Sequence, residues 1–478
     1  MLLNKLFNQT FMPKIGAITA AALICAVYLS VGLVVLGLDK FHYIMAGGQK
    51  FATFPNWNSQ LGISLAYLTL QLLYLFWLLR TKRPDEFPRF INILGCTAVF
   101  LALALLAYPL GDDIYLYLHF GLMNLSGLNP LIHKASSFTS QLSPFVDWGQ
   151  TSTYGSVSQL LFTAFAAVVP RSPILAIYSF KSFCLCLHIL NGYLIWRLLL
   201  LPERGKITMA YLLNPLLLME QVGSAHIDIL VSTSLIVLVG SLSRQRYMLA
   251  FLALWGGFLA KTLPLIWMPL VAIFLVRQRY WKQLVWLVTL SLALLIVLSA
   301  TDIPGLRAWA SLFNPGVTGK YHASLHALVQ SWLNLFRLSS PSLMTLYHER
   351  QILYELTQYT LIGFAAFYGW VAWRGYVKRY DSQLNLIMDI GWVTLSLLLF
   401  ATPWLMPWYA SVLLPIAALV PQAQLFGLTS LMFCLSSSSV YLLQGFNGIE
   451  SIVAISLPTF VLIYGASGGV QETKAKIE

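Results

Sequence analysis

What this chain has least of is charge. Only 10% of its 478 residues are Asp, Glu, Lys or Arg, against a hydrophobic fraction of 58%. A mean hydropathy of +0.74 is more than a water-soluble surface tolerates, and no polar stretch is long enough to make a soluble domain of useful size. Cysteine is scarce as well. Cys25, Cys96, Cys184, Cys186 and Cys434 all fall in apolar runs, where a thiol acts as a small hydrophobe, so disulfides are not predicted. Cys184 and Cys186, two residues apart, point to different faces of a helix, which argues against a metal pair. Acids are the rarer sign, 17 against 29 Lys and Arg. The cations are nevertheless spread over short loops without forming one patch, so nothing points to nucleic acid as a partner.

Apolar runs are plentiful. They fall near residues 15–38, 61–80, 91–110, 173–200, 207–222, 226–243, 247–260, 263–276, 282–300, 352–373, 384–401, 405–420, 423–443 and 450–466. This predicts an all-α polytopic membrane protein of about fourteen transmembrane helices, with residues 1–478 as a single integral membrane domain. Several runs fall short of the roughly 20 residues a span needs, so tilted pairs, half-helices or wrongly split runs are expected among them.

Cations set the orientation, because Lys and Arg beside spans stay in the cytoplasm. With the first end inside, the cytoplasmic segments collect Lys5, Lys14, Arg80, Lys82, Arg83, Arg89, Arg197, Arg204, Lys206, Arg244, Arg246, Arg277, Arg279, Lys282, Arg374, Lys378, Arg379, Lys474 and Lys476. Both termini are then cytoplasmic. The count requires that Ser156 to Val169 lie as an interfacial helix on the outer face, leaving Arg171 outside. Met1 to Lys14 is short, and no small-residue cleavage site stands out after Leu38, so the first span doubles as a retained insertion signal.

Chemistry is to be sought in two outer segments, residues 111–172 and 302–351. The first opens with Asp112 and Asp113 at the exit of an apolar run and continues through Tyr115, Tyr117, His119, Asn129, His133, Asp147, Trp148, Tyr154 and Gln159. Charge so close to lipid suggests function, whereas one carboxylate would suffice to cap a helix from Ile114 to Leu125 lying along the surface. The second segment carries Arg307, Asn314, Lys320, Tyr321, His322, His326 and Trp332. His322 and His326 are four apart and could share a helix face, but without a nearby acid the pair is weak evidence for metal. Inside or at the outer ends of spans stand Lys181, Glu220, His226, Asp228 and Lys261. Such groups need partners, and structural pairing competes with function for each taken singly. Together, acids and cations on one membrane face supply a base for an acceptor and positive charge for a departing phosphate.

Asp113, Tyr115, Tyr117, Gly121, Asn129 and Pro130, followed by Asn214, Pro215, Gly223, His226 and Asp228, form a pattern similar to that of the C superfamily of glycosyltransferases. These integral membrane enzymes use polyprenyl-phosphate sugars, and the chain most resembles the bacterial polyprenol-phosphate-mannose-dependent mannosyltransferases. Lys181, Lys261 beside a proline, and Pro407, Trp408 and Tyr409 extend the likeness over nearly the whole chain. Where the family has Tyr-Gly-Pro, this chain has Tyr154, Gly155 and Ser156.

The resemblance implies transfer of a hexose, mannose-like, from a polyprenyl-phosphate donor to a glycan or lipid acceptor hydroxyl, with inversion, on the non-cytoplasmic face of the cell's inner (plasma) membrane. Asp113 would be the general base and Asp112 the alternative. Lys181, His226 and Lys261 would neutralise the donor phosphate, with Asp228 orienting His226 or binding a sugar hydroxyl, and Tyr117, Asn129 and Tyr154 would complete the substrate site. Trp148, Tyr154, Trp404 and Trp408 would stack on sugar, pack the isoprenoid or anchor at the interface. No cofactor is assigned, and a divalent metal could sit near Asp112 and Asp113. The competing expectation is a transporter or flippase of lipid-linked sugars, which predicts internal repeats and ionisable groups near the bilayer midplane. No repeat is visible, and the charges gather at the outer face.

Overall fold

A computed structural model describes residues 15–48, 57–81, 89–313, 319–340, 344–377, 383–443, 446, 448–465 and 467. The expected cytoplasmic termini, and with them Lys5, Lys14, Lys82, Arg83, Asn314, Lys378, Arg379, Lys474 and Lys476, lie outside the described residues.

Every regular element among the described residues is helical, and the one β contact is an isolated bridge between His322 and Trp404. The helices are α1 (Ile15–Met45), α2 (Trp57–Arg80), α3 (Phe90–Leu106), α4 (Asp113–Leu125), α5 (Ser156–Ala166), α6 (Pro173–Leu198), α7 (Leu201–Leu213), α8 (Asp228–Ser243) and α9 (Tyr247–Ala260). They continue as α10 (Met268–Arg277), α11 (Trp281–Ala300), α12 (Gly305–Phe313), α13 (Leu325–Ser339), α14 (Leu346–Val377), α15 (Gln383–Ser396), α16 (Leu413–Leu419), α17 (Gln424–Leu443) and α18 (Ile449–Tyr464). Six of these, α1, α2, α6, α11, α15 with its π-helical extension to Ala401, and α17, are long and apolar enough to cross a membrane. A seventh is formed if the π-helical segment Leu217–Gly223 and α8 count as one bent span. The run at 352–373 lies within the 32-residue α14, the remaining runs form shorter helices, and the run at 405–420 is a 3-10 turn, Pro407–Val412, leading into α16.

Local chemistry explains where the helices around the outer segment begin and break. Ser172 caps α6 by accepting from the Leu175 N–H at 3.2 Å, with Pro173 in the first turn, where its missing N–H costs nothing. Asn214, before Pro215, accepts from the Leu216 and Leu217 N–H groups at 3.0 and 3.2 Å and starts the π-helical segment. That segment meets α8 at 111°, through Ala225 in the left-handed region at φ 57°. The sharp turn holds His226. Cys184 is buried and Cys186 exposed, on different faces of α6.

The helix after the paired acids packs inside the protein. Nine of the thirteen residues of α4 are buried, from Ile114 to Gly121 and again at Met123. The reason is composition, since tyrosines, leucines and Phe120 surround the axis and leave no polar face for water. Gly121 lets α4 come against the backbone of α5, where a Cβ would strike the Phe162 carbonyl. The two outer segments are stitched together at their edges. Asn129 Nδ2 donates to the Asp302 carbonyl at 2.9 Å, and Ser311 Oγ donates to Thr151 Oγ1 and the Ser152 carbonyl at 2.7 and 2.6 Å.

Candidate active site

Four elements bring charge to one place: the start of α4, the turn between the π-helical segment and α8, the end of α9, and the 3-10 turn Pro407–Val412. His226 lies at the centre, fully buried and stacked on the indole of Trp408 with ring centroids 3.8 Å apart. Its Nε2 faces Asp113 Oδ2 at 3.5 Å, and its Nδ1 lies 3.0 Å from the Glu220 carbonyl and 3.3 Å from Glu220 Oε2. Asp113 is the open acid, its side chain 32% exposed, whereas Glu220 is sealed.

Beside them, Lys261 Nζ donates to both oxygens of Asp228 at 2.8 and 2.9 Å and sits 4.4 Å above the ring of Tyr409. Lys261 ends α9, and Gly155 is what allows the neighbouring loop to reach that end. A Cβ on Gly155 would lie 2.5 Å from the Leu259 carbonyl, and Ser158 Oγ adds a bond to the Ala260 carbonyl at 2.9 Å. The loop thereby carries Tyr154 into the cluster, where its hydroxyl donates to Tyr117 Oη at 3.4 Å. Tyr117 also stacks on Phe162 with centroids 4.7 Å apart. Burial, helped by the charge of Asp113, pushes the Tyr154 phenol well above its ordinary pKa. Tyr154 is therefore a donor at neutral pH and no candidate for the base.

Asp112 precedes α4 at the capping position but makes no side-chain cap bond. Its carboxylate pairs with Lys40 Nζ of α1 at 3.3 Å. The paired acids thus have separate partners, one a lysine on the first helix and the other a buried histidine.

Not every residue singled out in the sequence reaches the cluster. Lys181 is fully buried in α6, donates to the Ala107 carbonyl and lies 4.8 Å over the Tyr178 ring. Asn129 spends its side chain on the Asp302 carbonyl and on the Leu131 N–H at 2.9 Å, holding loops rather than facing the acids. His322 and His326 diverge. His322 Nδ1 lies 3.4 Å from Glu450 Oε1, and His326 Nε2 bonds Thr360 Oγ1 at 2.9 Å. Lys320 lies 5.6 Å over Trp148, and Trp404 packs against His322. Among the described residues no group of three or more His, Cys, Asp or Glu is arranged to hold a metal ion.

Sequence reading passed over Lys40 and the tyrosines Tyr67 and Tyr441, whose hydroxyls reach Glu220 at 3.5 and 3.3 Å. Lys40 had a signal, an Asp-Lys pair directly after an apolar run. The tyrosines had none, because a lone phenol in a span reads as a core aromatic.

No curated protein and no solved structure matches the chain. A family model does, that of the N-terminal domain of the MptA_B alpha-(1->6)-mannopyranosyltransferases, over residues 15–277. That range holds Asp112, Asp113, Glu220, His226, Asp228 and Lys261, and it spans more than half the chain. The chain therefore belongs to the MptA_B family of alpha-(1->6)-mannopyranosyltransferases and is a glycosyltransferase of the membrane-embedded kind.

Proposed function

We propose that the enzyme moves a mannose-like hexose from a polyprenyl-phosphate donor to a hydroxyl of a glycan or lipid acceptor, on the non-cytoplasmic face, with inversion. The observation that carries this reading is the meeting of one open carboxylate, Asp113, with two cations, His226 and Lys261, at the start of α4, the turn before α8 and the end of α9. Asp113 takes the proton of the acceptor hydroxyl as that oxygen attacks the anomeric carbon. The bond from that carbon to the phosphate oxygen breaks on the opposite face, and the electron pair leaves with the lipid phosphate. Lys261, its side chain 19% exposed, faces the charge that develops there, while His226 Nε2, buried and without a hydrogen bond among the described residues, faces Asp113. Asp228 holds the Lys261 ammonium, and Tyr117 and Tyr154 line the acceptor side. A lipid-borne donor suits a site reached between membrane helices. The dispersed cations favour the outer face.

Two measurements test it. Protein in lipid nanodiscs is expected to transfer from polyprenyl-phosphate mannose and not from a nucleotide-linked mannose. The converse preference overturns the donor assignment. In a background lacking the five native cysteines, Ser137→Cys is expected to react with an impermeant thiol reagent added outside, and Arg244→Cys only after the membrane is opened. The reversed pattern places the chemistry on the other face.

A further inference from the structure

Glu220 is a buried carboxylate to which the transfer step gives no task. It sits in the π-helical turn, and local departures of that kind from α geometry recur at functional sites. Its Oε1 accepts from Tyr67 Oη at 3.5 Å and its Oε2 from Tyr441 Oη at 3.3 Å. Oε2 also lies 3.3 Å from His226 Nδ1, while the Glu220 carbonyl accepts from the His226 N–H at 2.9 Å. Two phenols do not offset the desolvation of a carboxylate, so Glu220 calls for a cation.

The geometry around the imidazole supplies one. Nδ1 meets only acceptors, the carbonyl and the carboxylate of Glu220. Nε2 points at a third, Asp113 Oδ2. A neutral imidazole carries one lone pair, and either tautomer would aim it at a carboxylate. The imidazolium presents N–H on both sides, and the Trp408 face stacked against it adds cation–π attraction.

We propose that Glu220 is a positioning residue that keeps His226 protonated and turned toward Asp113, so that Asp113 stays ionised and ready for the acceptor proton. This rests on Asp113 as the base. The other ionisable groups facing the turn are Tyr67 of α2, Tyr441 of α17, Tyr409 of the 3-10 turn, and the Asp228–Lys261 pair, which neutralises itself. Asp112 is matched by Lys40.

Glu220→Gln keeps the shape and the phenol contacts while deleting the charge. Without that charge His226 gives up its proton at lower pH, leaving Asp113 beside a neutral ring on the alkaline side. The alkaline limb of the pH–rate profile of mannosyl transfer is therefore expected to move to lower pH. In full-length protein labelled with nitrogen-15 histidine, the His226 midpoint, assigned from the signal missing in His226→Gln, is expected to fall by about one pH unit or more. Tyr441→Phe, which strips a donor from the carboxylate, is expected to move that midpoint the opposite way and serves if the Gln variant does not fold. An unmoved midpoint in these variants overturns the proposal, as does a shifted midpoint with an unchanged pH profile. Lack of transfer from polyprenyl-phosphate mannose by the unaltered protein overturns the donor assignment instead, and the histidine titration still decides the role of Glu220.

Discussion

Lys261 and Lys181 look alike in the sequence, each a lone cation among apolar residues, yet their surroundings differ in kind. Lys261 ends a helix beside a carboxylate and over a tyrosine ring, with its side chain still 19% exposed. Lys181 lies mid-helix, fully buried, against the Ala107 carbonyl at the C-terminal end of α3 and the ring of Tyr178. Matched by a carboxylate, the first cation can stay charged and meet an anion. The second satisfies a carbonyl that the end of α3 leaves open, a task of helix capping. On the proposed reading, two lysines with the same sequence signature divide between chemistry and architecture according to what faces them.

The largest effect that would break this division is expected at the open acid of the Lys261 cluster, Asp113. Asp113→Asn preserves the size and helix-starting character of the residue while removing the base, so transfer is expected to fall by about a hundredfold or more with thermal stability nearly unchanged. Asp112→Asn is the control. It loosens the contact with Lys40, a partly exposed pair worth up to about 1 kcal/mol, so activity is expected to drop no more than severalfold. A dead Asp112→Asn beside an active Asp113→Asn would move the base by one residue. Activity in both would make the start of α4 structural.

Next in size comes Lys261→Met, which keeps the stem and deletes the ammonium. A charged hydrogen bond contributes about 1.5–3 kcal/mol, so kcat/KM for the lipid donor is expected to fall roughly tenfold to a hundredfold. Asp228 would be left as a buried carboxylate without its cation, so the double variant Lys261→Met with Asp228→Asn is expected to recover stability but not donor use. Recovery of both would make the pair purely structural.

The helical class and the membrane setting were legible because composition and run length carry them. So was part of the cluster: Asp113, His226, Asp228, Lys261, Tyr117 and Tyr154 meet where spacing and family likeness had gathered them. What could not be read was partnership across the chain. Trp408, Tyr409 and Tyr441 lie beyond residue 277, outside the family match, yet they stack on His226, lie under Lys261 and reach Glu220. Only helix packing sets such pairings. Asn129 is a further case, a motif asparagine whose side chain joins the two outer loops through the Asp302 carbonyl. The burial of α4 was illegible for a related reason, since whether Tyr115 and Tyr117 meet water depends on Tyr108 and Phe162 packing against them.

The smallest effect on transfer is expected at Lys181, which makes it the sharpest probe of the comparison. Replacement by Met fills the same channel with an unbranched chain and removes only the donor to the Ala107 carbonyl. Leaving that buried carbonyl unmatched costs about 1–3 kcal/mol, so the variant is expected to unfold at a lower temperature. Its donor kinetics should stay within about twofold of the unaltered protein, because even a 0.4 kcal/mol disturbance at the site is a factor of two. If Lys181→Met instead lost donor use while unfolding at the unaltered temperature, the buried ammonium would have to reach the phosphate through a rearrangement of α6. The two lysines would then belong to one cradle after all.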